Sequence, residues 1–433
     1  MSQELIFFIN KLSKLQFIDL NYYKQALRSE FVELQHMSEC PQDNIWHSEG
    51  DVLTHTQMVM DEALTEITNN SNLSRKDQVS IYLAALLHDI GKPLTTYTTL
   101  NNRIVSPGHA NIGLFLAKKV LYLLKVPFDI QEHVLRLILR HMVSYRMASR
   151  IVADLTFNGI NVEYKKYFRL ASELSLSALY YLTRADWLGR TGSNIEQTLN
   201  QIEIFRSRAE HHNLWKYSYK DLLETILSFE DLAKLGVEDI KEQNRIQYWL
   251  FNLSLRGKIQ NREQALDYIN TYKEILYPKT AHLYIMVGVP GSGKSTWLEN
   301  NSPNIEIVSS DKKREELFND VNCQADNKKV FQECHSDVEK ALYAGKQVAF
   351  DATNTKFSYR NAAIQLAFQT YAHTSIVYFD LPLKIALERN KQRSRQVSEA
   401  IITRFFNDLE VPRFTEAQEL KVISLPPDPA WSN

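Results

Sequence analysis

The run G-V-P-G-S-G-K-S-T at 288–296 combines glycines with a lysine and hydroxyl groups, and it could hold the phosphates of a nucleotide. Glycines let the backbone wrap around phosphate oxygens without steric hindrance from Cβ atoms, and amides at a helix start attract anions. Lys294 would contact the β and γ phosphates, and the Ser295 hydroxyl would ligate Mg²⁺. The residues expected to bind the nucleoside triphosphate are Gly288, Gly291, Ser292, Gly293, Lys294, Ser295 and Thr296.

A carboxylate downstream of this loop could activate the group that accepts a phosphate. Asp311 follows a short apolar run at 305–309, and a carboxylate at the end of a strand can take a proton from an attacking hydroxyl. Arg314 stands three residues later, where it could hold a phosphate of the acceptor. The alternative is an aspartate that caps a helix, followed by a solvated basic turn.

Basic residues are concentrated again in a polar segment near the end of the chain, as Arg389, Lys391, Arg393 and Arg395. As a lid they would cover the phosphoryl group during transfer, and the alternative is an exposed basic face.

Four segments of the N-terminal half each place a histidine or an aspartate on an apolar helical face; the residues are His55, His88, Asp89, His141 and Asp186. His55, for example, shares its face with Val52 and Val59. A lone histidine on such a face is more often a satisfied core group than a ligand. Several such groups in one bundle can satisfy each other through a shared cation, so the pattern predicts a metal site.

The elements that would position these residues change in type along the chain. Residues 1–255 show the three- and four-residue spacing of helices, and 256–280 is a polar segment that could be a linker. From 281 to 433, apolar runs alternate with helical stretches, which predicts a five-stranded parallel sheet flanked by helices. These runs are 283–288, 305–309, 347–351, 375–380 and 420–424.

The bulk composition is that of a globular protein, with 44% hydrophobic and 23% charged residues. The 50 lysines and arginines balance 51 aspartates and glutamates, so the chain lacks the long-range field of a nonspecific polyanion binder. A local basic patch could still bind the end of a nucleic acid.

The cysteines Cys40, Cys323 and Cys334 are odd in number and lack paired spacing, so we expect reduced thiols rather than disulfides. The sequence shows neither a signal peptide nor an apolar run that could span a membrane, and a cytoplasmic location is expected.

The C-terminal motifs resemble the 5′-OH polynucleotide kinases of RNA repair. The resemblance rests on GVPGSGKST, SSDKKR, FDATNT and RNKQR and covers about 150 residues. It implies that Asp311 acts as general base, that Arg314 holds the acceptor phosphate, and that Arg389 and Arg393 act on the donor phosphates. Asp351 could be an indirect partner of the Mg²⁺ site.

The N-terminal motifs resemble the HD phosphohydrolase superfamily, and several resemble the HD modules of bacterial tRNA CCA-adding enzymes. They read WHSEGDVLTH, LLHDIGKP, GHANIG, RHM and RADWLGR. The resemblance implies a first metal ion on His55, His88, Asp89 and Asp186, with His109 and His141 completing a second site that Asp89 bridges.

Substrate contacts follow from the same resemblance: Lys92 and Arg190 would hold a substrate phosphate. Mixed imidazole and carboxylate donors suit Mn²⁺, Fe²⁺, Co²⁺, Ni²⁺ or Zn²⁺, as one or two ions. The expected reaction is hydrolysis of a phosphomonoester, and opening of a cyclic phosphodiester could accompany it. His47, Glu49 and Asp51 are as much candidates for surface or capping roles as for function.

An HD module followed by a P-loop kinase resembles the bacterial HD-polynucleotide-kinase fusion family. This implies an enzyme that heals broken RNA, or DNA, by using ATP or another NTP to phosphorylate a 5′-OH end and by removing the 2′/3′-phosphate. The sequence contains no KxDG motif, so sealing would need a separate ligase, and no DxDxT motif, so the HD half is the phosphatase candidate.

Two alternatives remain at this stage. One is an HD nucleotidase fused to a kinase of nucleosides or other small metabolites. The other is a nucleotide-sensing regulator with an inactive HD bundle.

Overall fold

The computed structural model describes residues 1–153, 160–192, 194–215, 219–301, 304–321, 326–393 and 395–432. It divides into two compact units, one formed by Met1–Ser218 with Pro426–Asn433 and the other by Tyr219–Leu425. The division therefore falls earlier than residue 255. The segment 256–280, expected to be a linker, belongs to the second unit and contains the helix Arg262–Thr271.

Contacts of the helix Ile240–Leu255 explain why the second unit begins before residue 255. The buried Arg245 donates a hydrogen bond of 3.1 Å to the Tyr371 carbonyl oxygen. Trp249 stacks on Phe368, with ring centroids 5.6 Å apart. These partners are distant in sequence, so the local pattern of the helix did not indicate which unit it joins.

The first unit is helical, as predicted, with a small antiparallel hairpin (β1, Tyr97–Thr98; β2, Ile104–Val105) that the sequence pattern did not predict. Its helices are α1 Gln3–Ser13, α2 Leu20–Ala26, α3 Glu33–Ser38, α4 Val52–Asn69, α5 Arg75–Leu87, α6 His109–Leu123, α7 Phe128–Arg140, α8 Val143–Ala153, α9 Ile160–Ala171, α10 Leu176–Leu188 and α11 Ile195–His211.

Side-chain caps and buried faces position these helices. Asp51 caps α4 by accepting a hydrogen bond of 2.8 Å from the Thr54 amide, the capping role that its sequence position left open. His55 is buried on the predicted face of α4. Helix α5 is buried along its second half and ends where His88 begins, which places the His88–Asp89 pair inside the bundle.

The second unit begins with α12 Tyr219–Ile226, α13 Phe229–Lys234, α14 Ile240–Leu255 and α15 Arg262–Thr271. Strands and helices then alternate as β3 His282–Val287, α16 Lys294–Asn301, β4 Glu306–Ser309, α17 Ser310–Phe318, α18 Asn327–Tyr343, β5 Gln347–Asp351, α19 Phe357–Gln369, β6 His373–Asp380, α20 Leu383–Lys391, α21 Glu399–Asn407 and β7 Glu419–Ser424.

The strands form one five-stranded parallel sheet in the order β4-β5-β3-β6-β7, which confirms the predicted fold class. The central strand β3 leads into the glycine-rich loop, and β4 and β5 end at Ser309 and Asp351. In an open parallel sheet, ligands bind at the carboxyl ends of the strands, so these ends define the site.

A buried ion pair fixes the loop that follows β5. The Arg360 guanidinium, which is fully buried, donates hydrogen bonds of 2.6 and 3.1 Å to the Glu416 carboxylate. It also donates to the carbonyl oxygens of Asn354 and Thr355. These two residues follow the end of the strand that carries Asp351, so the ion pair supports one wall of the site.

We expect Arg360→Met to lower the free energy of unfolding of the second unit by about 3–5 kcal/mol, because it leaves a buried carboxylate without its main partner. The matched change Lys346→Met removes an exposed ion pair with Glu306 and should cost less than about 1 kcal/mol. Urea titration measures this loss. The unfolding transition of the second unit is identified as the one that moves to higher urea concentration when a nucleotide is bound. Equal losses in the two variants would contradict the prediction.

The segment after β7 returns to the first unit. The Trp431 indole donates a hydrogen bond of 2.9 Å to the Leu124 carbonyl oxygen, and the Asp428 amide donates one of 3.0 Å to that of Lys125. Trp431 is buried by this contact.

Cys40 and Cys334 are buried free thiols, and Cys323 lies outside the described residues. Within the part of the chain that the structure describes, no helix is both long and apolar enough to cross a membrane.

Candidate active sites

The glycine-rich loop forms the floor of a cavity in the second unit. Gly291 has a φ of 82°, and a Cβ atom there would lie 2.4 Å from the Ala386 carbonyl oxygen, so the position requires glycine. The Lys294 ammonium donates hydrogen bonds of 2.8 and 3.1 Å to the carbonyl oxygens of Gly288 and Val289. The loop thus curls around the lysine, as expected for a phosphate cradle.

This cavity has a volume of about 870 Å³, a size that suits a nucleotide together with part of a second substrate. Asp351 and Thr353 from the end of β5 also line it. The predicted residues that line it are Gly291, Ser292, Gly293, Lys294, Ser295, Thr296, Asp311, Arg314, Arg389 and Arg393. Gly288 contributes the loop backbone behind them.

Asp311 lies in the first turn of α17 and does not cap it, because Ser309 occupies the N-cap position. Its carboxylate instead accepts hydrogen bonds of 2.9 Å from Arg314 and 3.0 Å from Arg395. Asp311 therefore connects the helix after β4 with the predicted lid, beside the phosphate-binding loop. The helix-cap alternative is not what the structure shows.

The basic residues near the end of the chain make two kinds of contact. Arg389, on α20, donates a hydrogen bond of 3.3 Å to the Ser292 carbonyl oxygen, and Arg393 lines the cavity beyond the end of that helix. Lys391 is exposed and pairs with Glu399 at 3.2 Å. Of the four basic residues at 389–395, the three arginines line the cavity.

Lys294 and Asp351 influence each other's charge. Burial lowers the pKa of Lys294 to about 8, although Asp351 opposes this effect. Burial also raises the pKa of Asp351, and Lys294 opposes that shift. The lysine of the loop therefore titrates close to neutral pH.

Nucleotide affinity should depend on this titration. Phosphates favour the charged ammonium, so nucleotide affinity should be highest and constant below pH 8. Above pH 8 the affinity should weaken by up to about tenfold per pH unit, because Lys294 must then take up a proton when the nucleotide binds. Calorimetry in two buffers of different ionisation enthalpy measures that uptake. Lys294→Met should bind weakly at every pH and take up no proton, and a wild-type affinity that is flat to pH 9.5 would contradict the prediction.

A second cluster lies inside the helical unit, where four of the predicted metal ligands meet. His55 Nε2 lies 3.1 Å from Asp186 Oδ1 and 3.8 Å from Asp89 Oδ2. His88 Nε2 lies 3.2 Å from the same oxygen of Asp89. Each of these residues is no more than 2% exposed. Helices α4, α5 and α10 thus bring together residues from distant parts of the sequence.

His109 and His141 lie on the other side of Asp89. His109 Nε2 lies 3.4 Å from Asp89 Oδ1 and 3.4 Å from His141 Nε2. One oxygen of Asp89 therefore faces His55 and His88, and the other faces His109. Asp89 therefore lies between the two groups of histidines.

Gly91 allows His109 to approach this closely. A Cβ atom at Gly91 would lie 2.1 Å from the His109 carbonyl oxygen and 2.6 Å from the Gly113 amide. The sequence pattern alone did not predict this packing role of Gly91. The signal was the second glycine, in GHANIG, because two facing glycines permit close contact of backbones.

The imidazole rings of four histidines are each oriented by a backbone carbonyl oxygen that lies close to Nδ1. The four are His55, His88, His109 and His141. This leaves every Nε2 atom pointing toward the centre, where it could bind a cation. His88 Nε2 is buried 3.2 Å from Asp89 Oδ2 but forms no well-directed hydrogen bond among the described residues, so the donor set fits a metal ion. The carbonyl distances are 3.1 Å for His55 to Gly189, 2.9 Å for His88 to Ala85, 2.8 Å for His109 to Ser106 and 2.7 Å for His141 to Ile138.

The predicted phosphate-binding residues adjoin the cluster. Lys92 Nζ lies 2.7 Å from Asp89 and 2.6 Å from Gln42 Oε1. Arg190 donates to both Asp186 oxygens, at 2.8 and 2.7 Å, and lies over the Trp187 ring. Each cation therefore stands beside one of the buried carboxylates.

The carboxylates of this cluster are ionised. Burial favours the neutral form of Asp89, but His88 and Lys92 outweigh it and hold the pKa well below its usual range. Arg190 and His55 do the same for the pKa of Asp186. Burial lowers the pKa of His141 to about 4, so this imidazole is neutral and free to donate a lone pair.

Sequence reasoning left the role of Glu49 and His47 open, and the structure places both beside the cluster. Glu49 Oε1 lies 2.8 Å from His47 Nδ1 and 3.0 Å from His55 Nδ1. Burial opposes ionisation of Glu49, but the two histidines hold its pKa below the usual value. The signal was the short spacing before His55, which by itself does not distinguish a buried carboxylate from a surface one.

Residues 52–191 match the HD domain family, and residues 283–412 match the AAA domain family. The chain is 28% identical to the CC-adding tRNA nucleotidyltransferase of Thermus thermophilus, over 43% of this chain and 38% of that protein. It is also 28% identical to a protein of Acanthamoeba polyphaga mimivirus that is named as a candidate bifunctional polynucleotide phosphatase/kinase, over 33% of this chain and 32% of that protein.

The chain spans about a third of the length of these curated relatives. Among solved structures, a chain of the Pnkp1/Rnl/Hen1 RNA repair complex matches 31% of this chain and 45% of its own length, at 25% identity and a TM-score of 0.27. The chain thus contains a segment that matches the HD domain family, followed by a segment that matches the AAA domain family, in the order expected from the sequence.

Proposed function

We propose that the protein heals both ends of a broken RNA, as a 5′-OH polynucleotide kinase in its P-loop domain and a metal-dependent 2′/3′-phosphatase in its HD domain. The observation that supports the proposal is that each compact unit brings its own predicted reactive groups close together. The relative named for polynucleotide phosphatase and kinase activities supports this pairing.

In the kinase site, the loop amides and Lys294 bind the β and γ phosphates of the NTP, and Ser295 would hold the accompanying Mg²⁺. Arg389 contacts the loop at Ser292, so it reaches the donor phosphates, and Arg393 lies in the same cavity. Their positive charge offsets the negative charge of the transferring phosphoryl group.

Asp311 receives the proton of the attacking 5′-hydroxyl. Its carboxylate lies in the cavity between Arg314 and Arg395, and these two cations can bind the phosphates next to the terminal hydroxyl. Such a clamp favours a polynucleotide end over a free nucleoside, because a nucleoside offers no neighbouring phosphate.

In the HD site, His55, His88, Asp89 and Asp186 would hold one divalent ion, and His109, His141 and Asp89 a second. The donor set suits Mn²⁺, Fe²⁺, Co²⁺, Ni²⁺ or Zn²⁺, which supply Lewis acidity and an acidified water. Lys92 and Arg190 bind the phosphate oxygens of the RNA end and orient the ester.

One experiment tests both assignments. An RNA with a 5′-OH and a 3′-phosphate is incubated with the protein, ATP, Mg²⁺ and Mn²⁺, and both termini are analysed; a free nucleoside and a nucleotide serve as the competing substrates. We expect a new 5′-phosphate and the loss of the 3′-phosphate. Turnover of the small molecules alone would favour a nucleotidase fused to a metabolite kinase, and inactivity without metal binding would favour a regulator.

We propose that a ligase then joins the healed ends. The RNA and DNA versions of the same substrate, compared side by side, identify the preferred nucleic acid.

A further inference from the structure

We infer that Glu49 is a positioning residue of the HD site, which holds the metal ligand His55 and, through Thr191, the segment that carries Arg190. The inference rests on the proposed function only in that the cluster binds a divalent ion.

The first contact of Glu49 orients an imidazole. His55 Nδ1 has two acceptors, Glu49 Oε1 at 3.0 Å and the Gly189 carbonyl oxygen at 3.1 Å. Neither acceptor can donate a proton, so the ring keeps its proton on Nδ1. Nε2 is then the atom left for a cation, and it faces the carboxylates of Asp89 and Asp186.

The second contact reaches a different part of the chain. The other oxygen of Glu49 accepts hydrogen bonds from the Thr191 amide, at 3.1 Å, and from its hydroxyl, at 3.0 Å. Thr191 directly follows Arg190, whose guanidinium lies on Asp186. The Glu49 carboxylate thus holds His55 on α4 and also Thr191, which follows the end of α10.

The two backbone segments that Glu49 joins are packed in direct contact. A Cβ atom at Gly192 would lie 2.6 Å from the Trp46 carbonyl oxygen, so the stretch before Glu49 rests directly on the stretch after Arg190. The Glu49 side chain is 2% exposed, and His47 supplies its third contact, at 2.8 Å. A buried carboxylate with every contact satisfied is held rigidly, as a positioning role requires.

Carboxylates that contact the far nitrogen of a ligand histidine typically raise metal affinity by about 10–100-fold. We therefore expect Glu49→Gln, which keeps the size but loses the charge, to weaken Mn²⁺ binding by at least about tenfold. Glu49→Ala should weaken it further. Because Arg190 is displaced as well, the KM for a phosphomonoester should rise in both variants.

The test measures Mn²⁺ binding to the full chain without nucleotide, by electron paramagnetic resonance, with circular dichroism as the check on folding. Asp89→Asn defines binding elsewhere in the chain, and Glu39→Gln, at an exposed glutamate, is the matched control. Glu49→Asp keeps the charge and serves if Glu49→Gln does not fold; it should retain more affinity than Glu49→Ala.

Wild-type Mn²⁺ affinity in folded Glu49→Gln would overturn the inference. If Glu49→Gln does not fold, equal affinities of Glu49→Asp and Glu49→Ala would overturn it. The readout does not depend on which phosphate ester is the substrate, so it separates this inference from the proposed RNA phosphatase activity. A wild-type protein that binds none of the five proposed metal ions would overturn both.

Discussion

Replacement of Lys294 by alanine should lower phosphate transfer to a 5′-OH RNA end by about a hundred- to a thousandfold, while removal of the 3′-phosphate stays within about twofold of wild type. The physical reason is that Lys294 lies inside the loop, where its charge would face the β and γ phosphates as they separate. Asp311→Ala should give a similar loss, because it removes the group that takes the hydroxyl proton.

Product analysis on one doubly modified RNA measures both activities in each variant. Lys346→Ala, at an exposed lysine of the same unit, is the control and should keep both activities. Loss of the phosphatase as well, from a folded Lys294→Ala protein, would contradict the assignment of one reaction to each unit.

The second large effect is expected at Asp89. Its two oxygens contact both groups of histidines and also Lys92, so Asp89→Asn removes charge from the centre of the metal site. We expect the phosphatase activity to fall by at least about a thousandfold, because ligands and substrate contacts that act as a unit fail together. The kinase should be unchanged, and His88→Ala should behave in the same way.

Metal analysis of the purified protein provides an independent measurement, since Asp89→Asn should retain less transition metal than wild type. Asp129→Asn, at an exposed aspartate of the same unit, should retain the metal and both activities. A metal content and phosphatase rate near wild type in Asp89→Asn would exclude Asp89 as a bridging ligand.

Much of the fold and of the candidate sites was predictable because it depends on local patterns. The loop that cradles Lys294 needs glycines at fixed offsets, and those offsets are visible in a stretch of nine residues. The buried face of His55 follows from helical periodicity alone. The sheet follows from the alternation of apolar runs with helices, and five runs became five strands.

What the sequence did not reveal depends on contacts between distant residues. The pairing of Asp311 with Arg395 joins positions 84 residues apart, and that of Glu49 with Thr191 joins positions 142 apart. Neither residue type nor spacing identifies such a partner. The start of the second unit was missed for the same reason. The helix that contains Arg245 belongs to this unit because it contacts Tyr371, which is far away in the sequence.

The return of the last residues to the first unit has a consequence for synthesis of the protein. Trp431 and Asp428 bind the turn at Leu124 and Lys125, yet a ribosome makes them only after all of Tyr219–Leu425 has been made. Domains generally fold in the order in which they emerge. Here the helical unit emerges first but receives residues 426–433 only after the second unit has been made, so the second unit can finish folding before the first unit is complete.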